Sequence, residues 1–316
     1  MFASPAPQPR KRQHERAGPS QARIAPSRRE GAQRQGCSVT EQALPLAPYT
    51  GIAASARRVR GVLRRHAYLI LKSPLRIVSM MYYPTVTMIV WAFVTLYLAP
   101  TNSFLKDAPG YFIGAVLLWD VLFRGQLGVS LTFIEELYAR NLGNLFVSPL
   151  TLPEYITGQL SIGLLRALIG VGGACAFAYL LFRFSIFSLG FPLIAFFVNL
   201  LVFGWAIGLA MSGMILRLGL SAEELAWAAV FILAPVSGVY YPVAVLPSWL
   251  QLVALALPSA HVFEGMRALL IEGVFRWNEF WTAALLNVVY LALGAAAFAW
   301  AMRDARNRGT LLQMGE

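Results

Sequence analysis

The sequence predicts an all-α polytopic membrane protein. Six transmembrane helices are preceded by an interfacial amphipathic helix, with a re-entrant or outer-leaflet helical cap between spans five and six. Three observations lead there. The 316 residues are 58% hydrophobic and 13% charged, with a mean hydropathy of +0.60, whereas soluble domains are roughly 25% charged. Six apolar runs reach the length of about 20 residues that a membrane helix needs. Basic residues gather at one end, with 15 of the 26 Lys and Arg lying before residue 77. The net charge of +11 is therefore a property of the N-terminal segment and does not point to nucleic acid as a partner. The composition excludes a disordered chain and argues against a soluble enzyme.

Residues 1–50 are rich in Pro, Gln, Ser, Arg and Ala. Such a segment cannot bury enough apolar surface to offset its ordering entropy, and it reads as a disordered basic tail. It holds no apolar stretch of signal-peptide length; its Arg-rich, acid-poor character is also that of an organellar transit peptide. Residues 51–76 change pattern. Val59, Val62, Leu63, His66, Ala67 and Ile70 recur at helical spacing, and Arg57, Arg58, Arg60, Arg64 and Arg65 fill much of the remaining surface. This is the pattern of an amphipathic helix in the membrane interface, cations toward lipid phosphates. A solvated basic helix is the plainer alternative. The six-span domain covers 77–302, with spans at about 77–99, 110–132, 155–182, 186–215, 224–246 and 280–302. Residues 303–316 form a C-terminal tail. With the N-terminus inside, inner segments hold 20 of the Lys and Arg and outer segments hold 4. The excess of inner cations places both termini in the cytoplasm.

Within the spans, Asp120 and Arg124 stand four apart, on one helix face and close enough to pair. Arg166 lies in the third span. Ionisable groups at such depth are costly unless paired, snorkelling or facing water. These three residues therefore either line a polar pathway or fix packing. Gly204 and Gly208, with Ser212 beyond, make a face of small residues that permits close helix approach. It serves packing within the chain or a dimer seam. Cys37 and Cys175 read as unpaired, and His14, His66 and His261 are too dispersed to suggest a metal site. No phosphate-binding loop is present: Lys72 is followed by Ser73, but Leu71 stands where that motif needs glycine. HExxH and GxSxG are also missing from the sequence.

Two segments carry more. Residues 135–151, EELYARNLGNLFVSPLT, read as a short amphipathic helix parallel to the membrane. Leu142, Leu145 and Phe146 lie on one side, and Tyr138, Arg140, Asn141 and Asn144 face the cytoplasm. An ordinary connecting helix is the plain alternative. Residues 235–267 carry prolines at 235, 242, 247 and 258 in an apolar stretch too long for one helix. Broken backbone at membrane depth survives only when buried in protein or facing a water-filled cavity, so a cap over a pathway is expected. The alternative is a span followed by an outer amphipathic helix, with Trp249 in the aromatic belt.

Both segments resemble the permease family of type-2 ABC transporters. The first is similar to the coupling-helix region, which opens on carboxylates, carries a glycine and closes on Val-Ser-Pro-Leu. Glu136, Leu142, Leu145, Val147 and Ser148-Pro149-Leu150 fit. Leu137, Asn141 and Gly143 depart, and Arg140 stands where the family commonly has glycine. The second fits at Gly238, Tyr240, Tyr241, Pro242, Leu246, Pro247, Trp249, Leu250, Pro258, Glu264 and Arg267, with Leu257 replacing the usual Asn.

The resemblance covers about residues 52–310. It implies the membrane subunit of an ATP-driven exporter in a bacterial inner membrane. Two copies would form the pathway, with no cofactor on this chain and ATP-Mg on a separate ABC ATPase subunit. Glu135, Glu136, Tyr138, Arg140, Asn141 and Asn144 would then couple to that ATPase. Asp120, Arg124, Arg166, Tyr240, Tyr241, Pro242 and Trp249 would line the pathway or its gate. An ion-coupled secondary transporter is the rival reading; it would need a polar ion site, and usually internal repeats. A lipid-modifying membrane enzyme is the other rival; it would need clustered carboxylates or histidines at one interface, for which Glu135 and Glu136 are the candidate pair.

Overall fold

A computed structural model describes residues 51–98, 100, 111–183 and 190–309, all within one compact unit. The tail expected over 1–50 lies outside the described residues. The described chain is helical, with no strand among the described residues. Helices α1 (Ile52–Leu71), α2 (Pro74–Leu98), α3 (Tyr111–Tyr138), α4 (Leu142–Val147) and α5 (Leu152–Phe182) come first. They are followed by α6 (Phe191–Leu218), α7 (Glu223–Val236), α8 (Ser248–Leu255), α9 (Pro258–Glu272) and α10 (Trp277–Arg308). Five of these are long and apolar enough to cross a membrane, namely α2, α3, α5, α6 and α10.

The bundle has two distinguishable ends. At one, the α3–α5 connection meets the last turns of α10, where Leu142, Tyr155, Met302 and Ala305 share one apolar cluster, and α1 packs on the start of α5. At the other, Tyr111, Val239, Leu257 and Met266 share a second. We call these the α1 end and the cap end. The chain passes between them six times, through α2, α3, α5, α6, α7 and α10. Both described termini therefore lie at the α1 end.

Helix α3 is the axis. It is the most buried of the long helices and packs against α2, α5, α6 and α7. The Gly204–Gly208 face meets it directly. A Cβ on Gly204 would lie 2.6 Å from the Leu122 carbonyl oxygen, and one on Gly208 would lie 2.7 Å from that of Gln126. The small-residue face thus serves contact within the chain. Ser212 donates to the Gly208 carbonyl at 2.8 Å, keeping its hydroxyl satisfied among apolar neighbours.

The expected fifth span, 224–246, is corrected. Helix α7 ends at Val236 after 14 residues, about 21 Å of rise. Pro235 in its last turn and the left-handed backbone at Gly238 (φ 61°) stop it there. The chain then turns through 237–247 into α8 and α9, which meet at 95°. Arg267 and Glu264 of α9 hold that turn. Arg267 Nη2 donates to the carbonyls of Gly238 and Tyr241 at 2.9 Å each, and to the Tyr111 hydroxyl at 2.9 Å. Glu264 accepts the Val243 amide at 2.8 Å and lies 2.7 Å from Arg267 Nη1. Tyr241 donates its hydroxyl to the Pro235 carbonyl at 2.7 Å. Carbonyls freed where the helix breaks are thereby satisfied from side chains, as an apolar setting requires.

Candidate functional site

The α1 end is organised by two adjacent carboxylates. Glu135 and Glu136 fall in the last turn of α3, so the expectation of one helix over 135–151 is corrected: the stretch is split between the end of α3, at Tyr138, and the short helix Leu142–Val147. The break is at Arg140, whose backbone is left-handed (φ 51°). A glycine takes that conformation without steric cost, which accounts for the glycine of the resembled pattern at this position.

Glu136 is 1% exposed and is engaged inside the protein rather than presented outward. It pairs with Arg65, lies 3.0 Å from His66 Nε2, and accepts from Asn141 Nδ2 at 2.7 Å. Glu135 is partly exposed; it takes Arg166 Nη2 at 2.9 Å and lies 3.3 Å from Arg76 Nη1. Two consecutive residues thus tie α3 to α1, α2, α5 and the turn that follows. Arg166, expected to line a pathway or snorkel, both pairs with Glu135 and faces a cavity.

A third carboxylate completes the frame. Thr151 and Glu154 form a capping box at the start of α5. Arg58 of α1 grips Glu154 with both ends of its guanidinium, at 2.9 and 2.6 Å. These hydrogen bonds raise the pKa of Arg58 above its ordinary value. Glu154 was absent from the expected site residues, although its Thr-x-x-Glu spacing is legible in the sequence. His66, which the sequence places on an apolar stripe, turns out to be a partner of Glu136.

What remains exposed is a compact tip. Tyr138, Arg140, Asn144, Val147, Ser148 and Pro149 are solvent-accessible. Asn144 Nδ2 donates to Asn141 Oδ1 at 3.3 Å, so the tip is wired to the carboxylate hub through Asn141. On the other side, the Tyr138 hydroxyl donates to Glu223 Oε2 at 3.0 Å, joining the tip to the start of α7.

Above the hub runs a groove between α2, α3 and α7. A cavity of about 350 Å³ is lined by Arg76, Arg124, Glu135, Arg166, Tyr83 and Trp227, among others. A second, of about 190 Å³, is lined by Asp120, Trp119, Phe231 and Tyr240. Tyr83 and Phe123 border both. Asp120 and Arg124 form the expected i,i+4 pair at 2.6 Å. Arg124 rests where α5 has no side chain: a Cβ on Gly170 would lie 2.1 Å from its Nε. Toward the cap, Tyr240 stacks on Trp91 with centroids 4.2 Å apart.

Of the expected pathway residues, Asp120, Arg124, Arg166 and Tyr240 come together along this groove. Tyr241 and Pro242 build the turn behind it, and Trp249 is exposed on the outer side of α8. Neither Tyr241, Pro242 nor Trp249 is among the residues lining the two cavities. No cluster of His, Cys, Asp and Glu among the described residues could hold a metal ion.

No curated protein matches the chain. A family model described as ABC-2 type transporter matches residues 57–271. The matched segment begins in α1, takes in the hub, the tip and the groove, and ends in the cap. The chain is a multi-pass membrane permease that belongs to the ABC-2 type transporter family.

Proposed function

We propose that this chain is one of two identical permease subunits of an exporter, each driven by a separate ABC ATPase subunit that carries ATP-Mg. The observation that supports this reading best is mechanical. The exposed tip after α3 is bonded, through Asn141 and Tyr138, to the helices that line the groove. A push on Tyr138, Arg140 or Asn144 would reach α1, α2 and α5 through Glu135 and Glu136, and α7 through Glu223. The groove between α2 and α7 would widen or narrow accordingly. Tyr82 and Tyr83 of α2, and Phe231 and Ile232 of α7, are exposed and flank the groove; a second copy would cover them. In this reading α1 lies along the inner face of a bacterial inner membrane, both termini are cytoplasmic, and the cap sits in the outer leaflet.

The test is co-purification with the ATPase subunit, followed by hydrolysis in lipid vesicles. Arg140→Glu is expected to abolish association, since like-charge juxtaposition across an interface costs several kcal/mol. Arg140→Gly preserves the left-handed turn and removes only the cation, so a smaller loss is expected. Tyr138→Ala should uncouple hydrolysis from transport. If all three match wild type, the tip is a connector and the coupling role is lost. The permease alone, free of other chains, should hydrolyse no ATP, having no phosphate-binding lysine loop.

A further inference from the structure

The larger cavity of the groove has a chemistry of its own. Three guanidinium groups reach it from three helices, Arg76 of α2, Arg124 of α3 and Arg166 of α5, and one carboxylate, Glu135, lines it with them. Arg166 is 5% exposed and Arg124 9%. Arg124 Nη2 and Arg166 Nε are buried and make no hydrogen bond among the described residues. A buried donor on a cation is normally satisfied, and guanidinium N–H pairs match the oxygens of phosphate, sulfate and carboxylate. Apart from Ser79, the rest of the wall is apolar or aromatic, with Met80, Tyr83, Phe123, Leu127 and Trp227 among its members. At about 350 Å³ the space exceeds what a small inorganic anion fills.

We propose that this cavity binds an amphiphile by an anionic head group, held by Arg124 and Arg166, with its hydrocarbon against the aromatic wall. This rests on reading the groove as the transport path and names the substrate class that path would take. Arg76 and Arg166 already engage Glu135, so the head group shares their remaining donors rather than replacing the carboxylate. Gly170 belongs to the site by its lack of a side chain, because a methyl group there would displace the Arg124 guanidinium.

The experiment uses the purified full-length permease in neutral detergent with no ATPase present. Binding of dodecyl phosphate is compared with that of an uncharged dodecyl ether and of inorganic phosphate. Wild type should bind dodecyl phosphate about tenfold or more tighter than either, the scale of one or two charge-assisted hydrogen bonds. Arg166→Gln, Gly170→Ala and the neutral pair Asp120→Asn/Arg124→Gln should each weaken it by about tenfold, with Arg276→Gln unchanged as a control on an exposed pair. Size-exclusion profile and helicity identify any variant that fails to fold; Gly170→Ala, which keeps every charge, is the mildest. Equal binding of charged and uncharged amphiphiles, or unchanged binding in every folded variant, would overturn the proposal. So would inorganic phosphate binding as tightly as dodecyl phosphate, which would mark a site for free anions. Because no ATPase is present, these outcomes are independent of co-purification: a permease that binds the amphiphile yet recruits no ATPase would sink the exporter reading instead.

Discussion

At the scale of single residues, charge at the α1 end is placed by what it bonds, not by where polarity alone would put it. Glu136 sits on an amphipathic stretch and looks like a surface residue in the sequence, yet it is buried with Arg65, His66 and Asn141 around it. Glu136→Ala should therefore lower stability. It leaves the buried His66 ring and the Asn141 amide without their acceptor, a loss of about 1–3 kcal/mol for such an unmade bond. Thermal unfolding in detergent would show this as a clear fall in midpoint, and an unchanged midpoint would mean the hub is slack. The sequence could not show this burial, because Arg65 and His66 lie some 70 positions away, in a helix read as facing lipid. The Asp120–Arg124 pair was legible because i,i+4 spacing alone brings the two together. Arg267 is a case between: its match to a family pattern was visible, but its role in holding Gly238, Tyr241 and Tyr111 needs the folded cap.

At the scale of elements, helix lengths followed apolar runs, and errors arose where polar partners or prolines override them. Helix α3 runs on to Tyr138, beyond the expected 132, because its terminal carboxylates meet arginines from α1, α2 and α5. Helix α7 stops short of its apolar run because Pro235 and Gly238 break it and Arg267 stabilises the break. Close approach between elements is set by small residues, and it makes a sharp prediction. Gly204→Leu would drive a side chain into the Leu122 carbonyl and the α3 backbone. Over-packing of this kind costs about 1–3 kcal/mol or more, and α6 would have to move away from α3. Gly172→Ala on α5, where a Cβ meets nothing within 4 Å, is the control and should leave the midpoint unchanged. If both variants unfold alike, the α3–α6 contact does not have the tightness described.

At the scale of the whole molecule, the number of passes decides which surfaces face which compartment. Five helices have spanning length, and an odd count would put the two ends of the chain on opposite sides. The sixth pass comes from α7, too short at 14 residues for a hydrocarbon core of about 30 Å. Helices α8 and α9 together have spanning length and apolarity but bend by 95°, as a broken span or a re-entrant pair does. Contacts at both ends fix the parity. Tyr138 at the end of α3 bonds Glu223 at the start of α7, and His261 of the cap lies 2.7 Å from Glu279 at the start of α10. Helix α7 therefore leaves the α1 end and α10 returns to it, where Arg217 of α6 stacks over Trp300 of α10. Single cysteines placed at Arg140, Trp249 and Arg308, in a chain lacking Cys37 and Cys175, would report this with a membrane-impermeant thiol reagent. Positions 140 and 308 should react from one side and position 249 from the other. The cation count assigns position 249 to the outside. If 249 reacts from the same side as 140, α7 enters and leaves through one face. The groove between α2 and α7 would then have no exit beneath Tyr240, and the pathway would have to be sought elsewhere in the bundle.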